Sequence, residues 1–296
     1  MAKFNVDKSS PVKEKDYKKF INFGKIYLFE PSLTCTDDNF ITEIKEDLNS
    51  KFSESNKYII SEIFDTKQEK TIERSEKLVF TRLNNSNSHF FGTFSRISNS
   101  KDVLTDIVDN ESNEKIDPNS IYFEHNTLFY IDFDNSAISF IKTNHIKNVY
   151  PFLESFLNNN NFLNLKIAPL VKTESEIENS TITGLQASFA NVTTDYKADF
   201  VELNKLEQMG CKIKEYKIEL SLKEVNTSFP KNLLSFRSKN KQNLKKISIS
   251  TLNEDIDLLS NTFTKSVPIR LSNNYEKDYA VIENTLKNEL LKAIHW

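Results

Sequence analysis

Glycine is scarce in this chain, which holds four glycines among its 296 residues, at positions 24, 92, 184 and 210. Loops that cradle phosphate groups need clustered glycines, because only glycine lets the backbone approach the ligand closely. Neither the G-x-G-x-x-G pattern nor the G-x-x-x-x-G-K-[ST] pattern can be written in this sequence. The scarcity of glycine therefore argues against a standard dinucleotide-binding turn and against a P-loop ATPase.

The charge balance and the cysteines predict a cytoplasmic protein without a cofactor or a metal. The 39 basic and 42 acidic residues nearly cancel, so the net charge favours neither a nucleic-acid nor a membrane partner. Cys35 and Cys211 stand alone, which argues against a disulfide framework and a Cys-x-x-Cys site. The first 17 residues lack the apolar core of a secretory signal, and no run reaches the roughly 18 apolar residues of a spanning helix. An AT-rich genome explains the 34 Asn and 34 Lys against 5 Arg.

The N-terminal half is rich in strand signals. Aromatic and β-branched residues between polar breaks predict strands over 25–30, 77–83 and 89–98. Residues 127–141 predict a central β-hairpin that turns at Asp134-Asn135. One helix is predicted over 37–50, because acids fill its first turn and apolar residues recur at helical spacing.

The C-terminal half alternates between strand and helix signals and ends in a long amphipathic helix, so the predicted fold class is α+β. The polar run Asn158–Asn161 predicts a boundary between a domain over 1–157 and a domain over 162–296, although the two can share one core. Helices are predicted over 148–159, 198–210, 251–263 and 274–296, and strands over 162–171, 266–271 and part of 209–222.

Glu215-Tyr-Lys217 is half of the metal-binding core of many nucleases. Glu215, Lys217 and Glu219 share one face of the predicted strand, and apolar residues occupy the other face, as in any half-buried strand. A nuclease also needs an upstream acid on a neighbouring strand, for which Asp195, Asp199 and Glu202 are in range. The half-buried strand is the favoured interpretation, and a metal-dependent nuclease is the second alternative function.

The strongest positive signal is the basic segment 229–250, which contains no acid between Glu224 and Glu254. Interspersed Asn, Gln and Ser can donate to phosphate oxygens, and Phe229 and Phe236 can stack on bases or pack inside the protein. Nucleic-acid binding through this segment is the first alternative function. The predicted contact residues are Lys231, Arg237, Lys239, Lys241, Lys245 and Lys246.

Two further patterns favour loops over sites. Arg82 and His89 are spaced like the paired residues of some ribonucleases, but the sequence between them is turn-forming. Residues 109–120 alternate oxygen ligands like a calcium loop, but Glu114 occupies the position where that loop needs glycine.

No set of residues assembles into a recognisable catalytic constellation, so a binding protein is predicted rather than an enzyme. The leading hypothesis is an assembly, inhibitory or regulatory subunit that contacts a protein partner or further copies of itself, and no membrane. Exposed aromatic edges in the N-terminal half are the expected contact, since aromatic residues dominate interface energetics. The AT-rich composition suits a phage or mobile defence gene, which makes a phage–host conflict system a specific form of this hypothesis.

Overall fold

A computed structural model describes residues 15–28, 39–53, 55–65, 70–99, 122–158, 165–190, 215–242, 244–272 and 275–295. The chain folds into two compact units. Unit 1 comprises Met1–Ala168 and Val267–Trp296, and unit 2 comprises Pro169–Ser266. The α+β fold class is confirmed, with antiparallel strands, several helices and a long helix close to the C-terminus.

Unit 1 holds an antiparallel sheet in the order β2-β3-β4-β5-β6-β1. Its elements are β1 (Lys15–Leu28), α1 (Phe40–Lys51), β2 (Lys57–Asp65), β3 (Lys70–Asn85), β4 (His89–Asn99), β5 (Tyr122–Asp132), β6 (Ala137–Lys142), α2 (Tyr150–Asn158), β7 (Leu165–Pro169), which pairs with β1, and α5 (Tyr275–Ile294).

The predicted hairpin is confirmed as β5 and β6, and it lies inside the sheet between β4 and β1. Asp132 closes its turn, because one carboxylate oxygen accepts the backbone N–H of Asn135 over 2.9 Å. Ser136 takes a positive φ of 48°, as turns of this kind require. Residues 137–141 are buried in succession, which is expected of a strand that is covered on both faces.

Helices pack on both faces of the unit 1 sheet. The first core cluster joins Phe52, which follows α1, and Phe156 of α2 to the strands, and the rings of Phe80 and Phe156 stack 4.4 Å apart. On the other face the Ser139 hydroxyl donates to the carbonyl of Leu286 in α5 over 3.1 Å. The aromatic residues of the N-terminal half therefore supply the core of the unit more than its surface. Those that are almost fully buried include Phe23, Phe52, Phe80, Phe90, Phe91, Phe94, Phe129, Phe140 and Phe156.

Unit 2 contains α3 (Glu174–Glu178), β8 (Gly184–Ala190), β9 (Glu215–Ser221), α4 (Phe229–Asn240), β10 (Leu244–Ser250), β11 (Glu254–Asp257) and the first residues of β12 (Thr262–Leu271). The strands form antiparallel neighbours in the order β12-β11-β10-β8-β9. The helices pack on one sheet face, where they share a second core cluster with residues such as Ile247, Ile249 and Ile256.

Most predicted elements are confirmed with shifted ends, but the predicted helix over 251–263 is wrong. This segment forms β11, a turn and the start of β12. Ile256 and Leu258 are fully buried two residues apart, which is the spacing of a strand. Asn261 takes a positive φ of 56°, and Asp257 accepts the N–H of Leu259, so the segment is built to turn. The predicted helix over 198–210 lies outside the described residues.

The compact units differ from the predicted domains in two places. The first unit extends to Ala168 instead of ending near 158–161, and the chain returns to it at Val267. A polar run marks where a chain is exposed, but it does not reveal that a distant helix packs back on the first sheet. The compact units do not show which parts of the chain fold independently, so the division into domains over 1–157 and 162–296 stays a prediction.

Candidate nucleic-acid interface

Helix α4 presents an acid-free surface. Pro230 fits its first turn, where a missing N–H costs nothing, and Leu233 and Leu234 are buried against the sheet. The exposed side of the helix carries polar side chains, of which the Ser238 hydroxyl already donates to the carbonyl of Leu234 over 3.1 Å. It consists of Lys231, Asn232, Ser235, Ser238 and Lys239.

A β-bulge exposes two consecutive lysines at the start of β10. Leu244 pairs with Phe189 and Lys246 pairs with Ser188, so β10 has one extra residue, Lys245, between these two pairs. In a regular strand one of two consecutive side chains would face the core, but the bulge leaves both Lys245 and Lys246 exposed. The buried residues Leu244 and Ile247 are three apart, and this odd spacing is the sequence signal of the bulge.

The sheet face opposite α4 continues this positive surface. Lys246 lies opposite Ser188 of β8, and Ser188 lies opposite Lys217 of β9. Residues directly opposite in antiparallel strands point to the same face, so the two lysines flank a serine in one row. The Lys246 ammonium also donates to the side-chain oxygen of Gln186.

Lys239, Lys241, Lys245 and Lys246 are all exposed and follow one another through the α4–β10 connection; we call these four residues the lysine cluster. Lys231 lies two helical turns earlier, about 12 Å along the axis of α4 from Lys239. Acids flank this row on the same sheet face, since Glu219, Gln186, Ser248 and Asp257 form the row on one side, and Glu215 lies opposite Ala190 in the row on the other side. No acid interrupts the chain between Lys239 and Lys246.

Arg237, a predicted contact residue, makes hydrogen bonds within unit 2, and its contact with nucleic acid stays a prediction. Its guanidinium donates to the carbonyl of Leu258 over 2.9 Å, to the Asn261 side chain over 2.8 Å, and to Glu174 over 2.5 Å. These contacts join α4 to α3 and to the β11–β12 turn. Arg237 thus differs from the lysine cluster, whose members lie on the surface.

Phe229 and Phe236, for which the sequence left stacking and packing open, both pack against the core of unit 2. Phe236 makes an edge-to-face contact with Phe189, with ring centroids 6.2 Å apart. Both rings are partly buried, so the structure favours packing over stacking for them.

The predicted nuclease core is incomplete in the described residues. The strand β8 places Ala190, Ser188 and Gln186 opposite Glu215, Lys217 and Glu219, so this neighbour supplies no carboxylate. In the described part of the chain, no group of three His, Cys, Asp or Glu side chains is arranged to hold a metal ion. Asp195, Asp199 and Glu202 lie outside that part, and the nuclease reading stays a prediction.

Unit 1 contains a polar cluster that the sequence did not reveal. The Nδ1 atom of His89 forms a hydrogen bond of 2.8 Å with the Ser86 hydroxyl. The Nε2 atom of the same ring lies 2.9 Å from a carboxylate oxygen of Glu283 in α5. The carboxylate is not aligned for a hydrogen bond with Nε2, so the contact is an ion pair when the ring is protonated. Asn84 donates to the same Glu283 oxygen over 2.9 Å. The cluster attaches α5 to the β3–β4 turn.

Arg82 takes no part in that cluster. Its guanidinium donates to Asn56 over 3.3 Å and lies 6.0 Å from the ring of Phe52. The turn predicted between Arg82 and His89 is confirmed as the β3–β4 connection. The acidic segment 109–120 lies outside the described residues.

Exposed aromatic residues of the N-terminal half lie along β1. Tyr17, Phe20 and Tyr27 are between 36% and 49% exposed, and Lys18 and Lys19 lie near the rings of Phe20 and Tyr17. Successive strand residues face opposite sides, so Tyr17 and Phe20 do not form one patch. None of the described helices is long and apolar enough to cross a lipid bilayer.

No protein-family profile matches the chain, and no curated protein matches its sequence.

Proposed function

We propose that this protein binds nucleic acid through the lysine cluster of unit 2. The observation that carries the proposal is the bulge at Lys245, because it turns two consecutive lysines of β10 outward beside Lys239 and Lys241. A regular strand would gain stability by burying an apolar residue at one of these positions. Four exposed ammonium groups in eight residues form a surface suited to phosphate oxygens.

The contacts available on this surface favour the phosphate backbone over the bases. Lysine binds phosphate as a point charge, and the hydroxyl and amide groups along α4 can donate to phosphate oxygens. Phe229 and Phe236 are engaged in the core, so stacking on single-stranded bases gains no support from them. We therefore expect binding to duplex DNA with little dependence on sequence.

The affinity for a duplex of about 20 base pairs tests the proposal, measured by fluorescence anisotropy in 100 mM salt. The variant K239E/K241E/K245E/K246E replaces the four ammonium groups that would contact phosphates with four carboxylates. We expect its affinity to fall at least about a hundredfold, because the phosphate contacts are replaced by repulsion. A second duplex of unrelated sequence should bind the unaltered protein within about threefold of the first.

The matched control carries K57E/K77E/K142E/K147E, which changes the net charge equally at exposed lysines of unit 1. Its affinity should stay within about fivefold of the unaltered protein, because screening weakens distant charges at this ionic strength. Equal losses in the two variants would contradict a localised site. Circular dichroism and thermal unfolding of each variant would establish that the loss does not reflect unfolding.

The second candidate is a protein-binding subunit, of which a subunit of a phage–host conflict system is the specific form. Tyr17, Phe20 and Tyr27 of β1 are the exposed aromatic residues that favour it. A single patch would favour it more, but these side chains alternate between two faces of the strand. Replacing Tyr17 and Tyr27 by Ser should abolish capture of a protein partner and leave nucleic-acid affinity unchanged.

A further inference from the structure

The turn between β3 and β4 holds a serine in direct contact with a histidine. The Ser86 N–H donates to the carbonyl of His89 over 2.9 Å, which closes the turn between the two residues. The Ser86 Oγ lies 2.8 Å from Nδ1 of His89 and accepts the N–H of Ser88 over 3.2 Å. The Oγ of Ser88 lies 3.4 Å from the same Nδ1, so Ser86 is the closer partner of the imidazole.

The neighbours of His89 fix the orientation of its ring. The ring stacks on Tyr130 of β5 with centroids 5.2 Å apart, and its Nε2 lies 2.9 Å from Glu283 of α5. The side chains of His89 and Glu283 are each 16% exposed, whereas Ser86 is exposed. A ligand can therefore reach Ser86, while the imidazole behind it is largely shielded from water.

We propose that Ser86 is a nucleophile that hydrolyses carboxylic esters, with His89 as its general base and Glu283 as a positioning residue. A base within hydrogen-bond reach of a serine, held in place by a third group, is the arrangement that activates serine hydroxyls. The Glu283 carboxylate attracts the ring once the ring is protonated. Proton transfer from Ser86 to His89 creates that state, so the carboxylate favours the transfer.

Both steps of the reaction pass a proton through Nδ1 of His89. In the first step Ser86 Oγ attacks the carbonyl carbon of the ester and gives its proton to Nδ1. The bond between that carbon and the alcohol oxygen then breaks, and the alcohol leaves with the proton. In the second step water attacks the acyl-serine and gives a proton to Nδ1, which returns it to Ser86 Oγ as the carboxylic acid leaves. The sum is one ester and one water converted to an acid and an alcohol.

The acids around this turn favour a neutral or cationic ester. Burial raises the pKa of Tyr130, and the charges of Asp132, Glu283 and Asp134 raise it further. These carboxylates act on the region beside His89 that would receive the substrate, and they repel a negatively charged acyl group. The acetyl ester of p-nitrophenol should therefore be hydrolysed faster than its succinyl ester, whose acyl group ends in a carboxylate. The reverse order would overturn this substrate class.

A fluorophosphonate probe tests the nucleophile, because it forms a covalent adduct with a serine that a base activates. Mass spectrometry should show an adduct on the folded protein and none in urea, and peptide mapping should place it on Ser86. Ser86→Ala should remove the adduct, whereas the control Ser61→Ala, at an exposed serine of β2 in the same unit, should keep it. The absence of an adduct, or an adduct only at residues other than Ser86, would overturn the proposal. The mapping needs no variant, so it decides the question even where Ser86→Ala does not fold.

Hydrolysis of p-nitrophenyl acetate tests the other two residues. His89→Gln removes the general base and should slow the reaction by about a hundredfold or more. Glu283→Gln should lower kcat and kcat/KM by the same factor of about ten, because Glu283 attracts the ring only after proton transfer. Unchanged rates in the folded variants would overturn these roles. None of these readouts involves nucleic acid, so they can fail while the lysine cluster still binds it.

Discussion

Replacing Gly92 by Ala should destabilise unit 1, because β4 passes too close to β3 at this position. A Cβ at residue 92 would lie 2.5 Å from the backbone oxygen of Thr81 and 2.9 Å from Cε1 of Phe90. Carbon–oxygen contacts between strands are normally about 3.3 Å or longer, so a gap of about 0.8 Å would have to open. The obstacle is backbone and not the mobile end of a side chain. Two adjacent strands must therefore move apart.

The expected cost follows from these distances. Overpacking of this kind costs about 1 to 3 kcal/mol, and the rigid obstacle places Gly92→Ala at the upper end. Alanine restricts the unfolded chain more than glycine does, which returns about 0.4 to 1 kcal/mol. The net loss is about 2 kcal/mol, which corresponds to a fall in Tm of about 4 to 8 °C for a unit of this size.

Thermal and urea unfolding of Gly92→Ala measure this loss, and Gly184→Ala is the control. A Cβ at residue 184 meets its nearest atom, the Cβ of Ser250, at 3.4 Å, which is ordinary contact. The control should therefore change the stability of its own unit by less than about 0.5 kcal/mol or raise it slightly. If Gly92→Ala were as stable as the unaltered protein, the close approach of β3 and β4 would be refuted.

Two further predictions concern buried charges of unit 1. Burial raises the pKa of Glu154, while the backbone N–H of Ile167, 2.5 Å away, and Lys166 act in the opposite direction. Since a raised pKa means that folding disfavours the ionised carboxylate, the contribution of Glu154 to the free energy of unfolding falls as pH rises above about 4.5. Glu154→Gln keeps the hydrogen-bond acceptor and loses the charge. In urea titrations the stability of this variant relative to the unaltered protein should therefore increase between pH 4 and pH 7. A difference in stability that stays constant over this range would count against the prediction. Lys51 lies 2.6 Å from Asp47, and both side chains are less than 10% exposed. Asp47→Ala leaves the ammonium of Lys51 buried without its carboxylate, so it should lower the free energy of unfolding by about 3 to 5 kcal/mol in urea. D47L/K51M removes both charges and should lower it less than the single change does. Equal losses in the two variants would contradict the buried pair.

Periodicity was sufficient to predict those elements whose burial is uniform along their length. The hairpin of β5 and β6 has apolar runs on both sides of an Asp-Asn turn, and α5 repeats Ile282, Leu286 and Leu290 at helical spacing. The same reasoning failed over 251–263, where Ile256, Leu258 and Leu259 fit a helix as well as a strand. Side-chain bonds at Asp257 and Asn261 decide in favour of the turn, and periodicity does not contain this information.

The candidate site was predicted in its composition but not in its arrangement. The acid-free run around the lysines is visible in the sequence, whereas the commitment of Arg237 to Glu174 and Leu258 depends on packing between distant segments. The row through Lys246, Ser188 and Lys217 needs the register of three strands. Likewise, Asn84 and Glu283 are 199 residues apart, and no local pattern links them.

The salt dependence of duplex binding tests the central proposal most directly. Four lysine–phosphate contacts predict a slope of about −4 for log affinity against log salt concentration, equivalent to a loss of about a hundredfold between 50 and 200 mM salt. Neutralising the cluster with K239Q/K241Q/K245Q/K246Q should reduce that slope to near zero while the protein remains folded. A slope that the neutralised variant shares with the unaltered protein, or a failure of the unaltered protein to bind at 50 mM salt, would contradict binding through the lysine cluster.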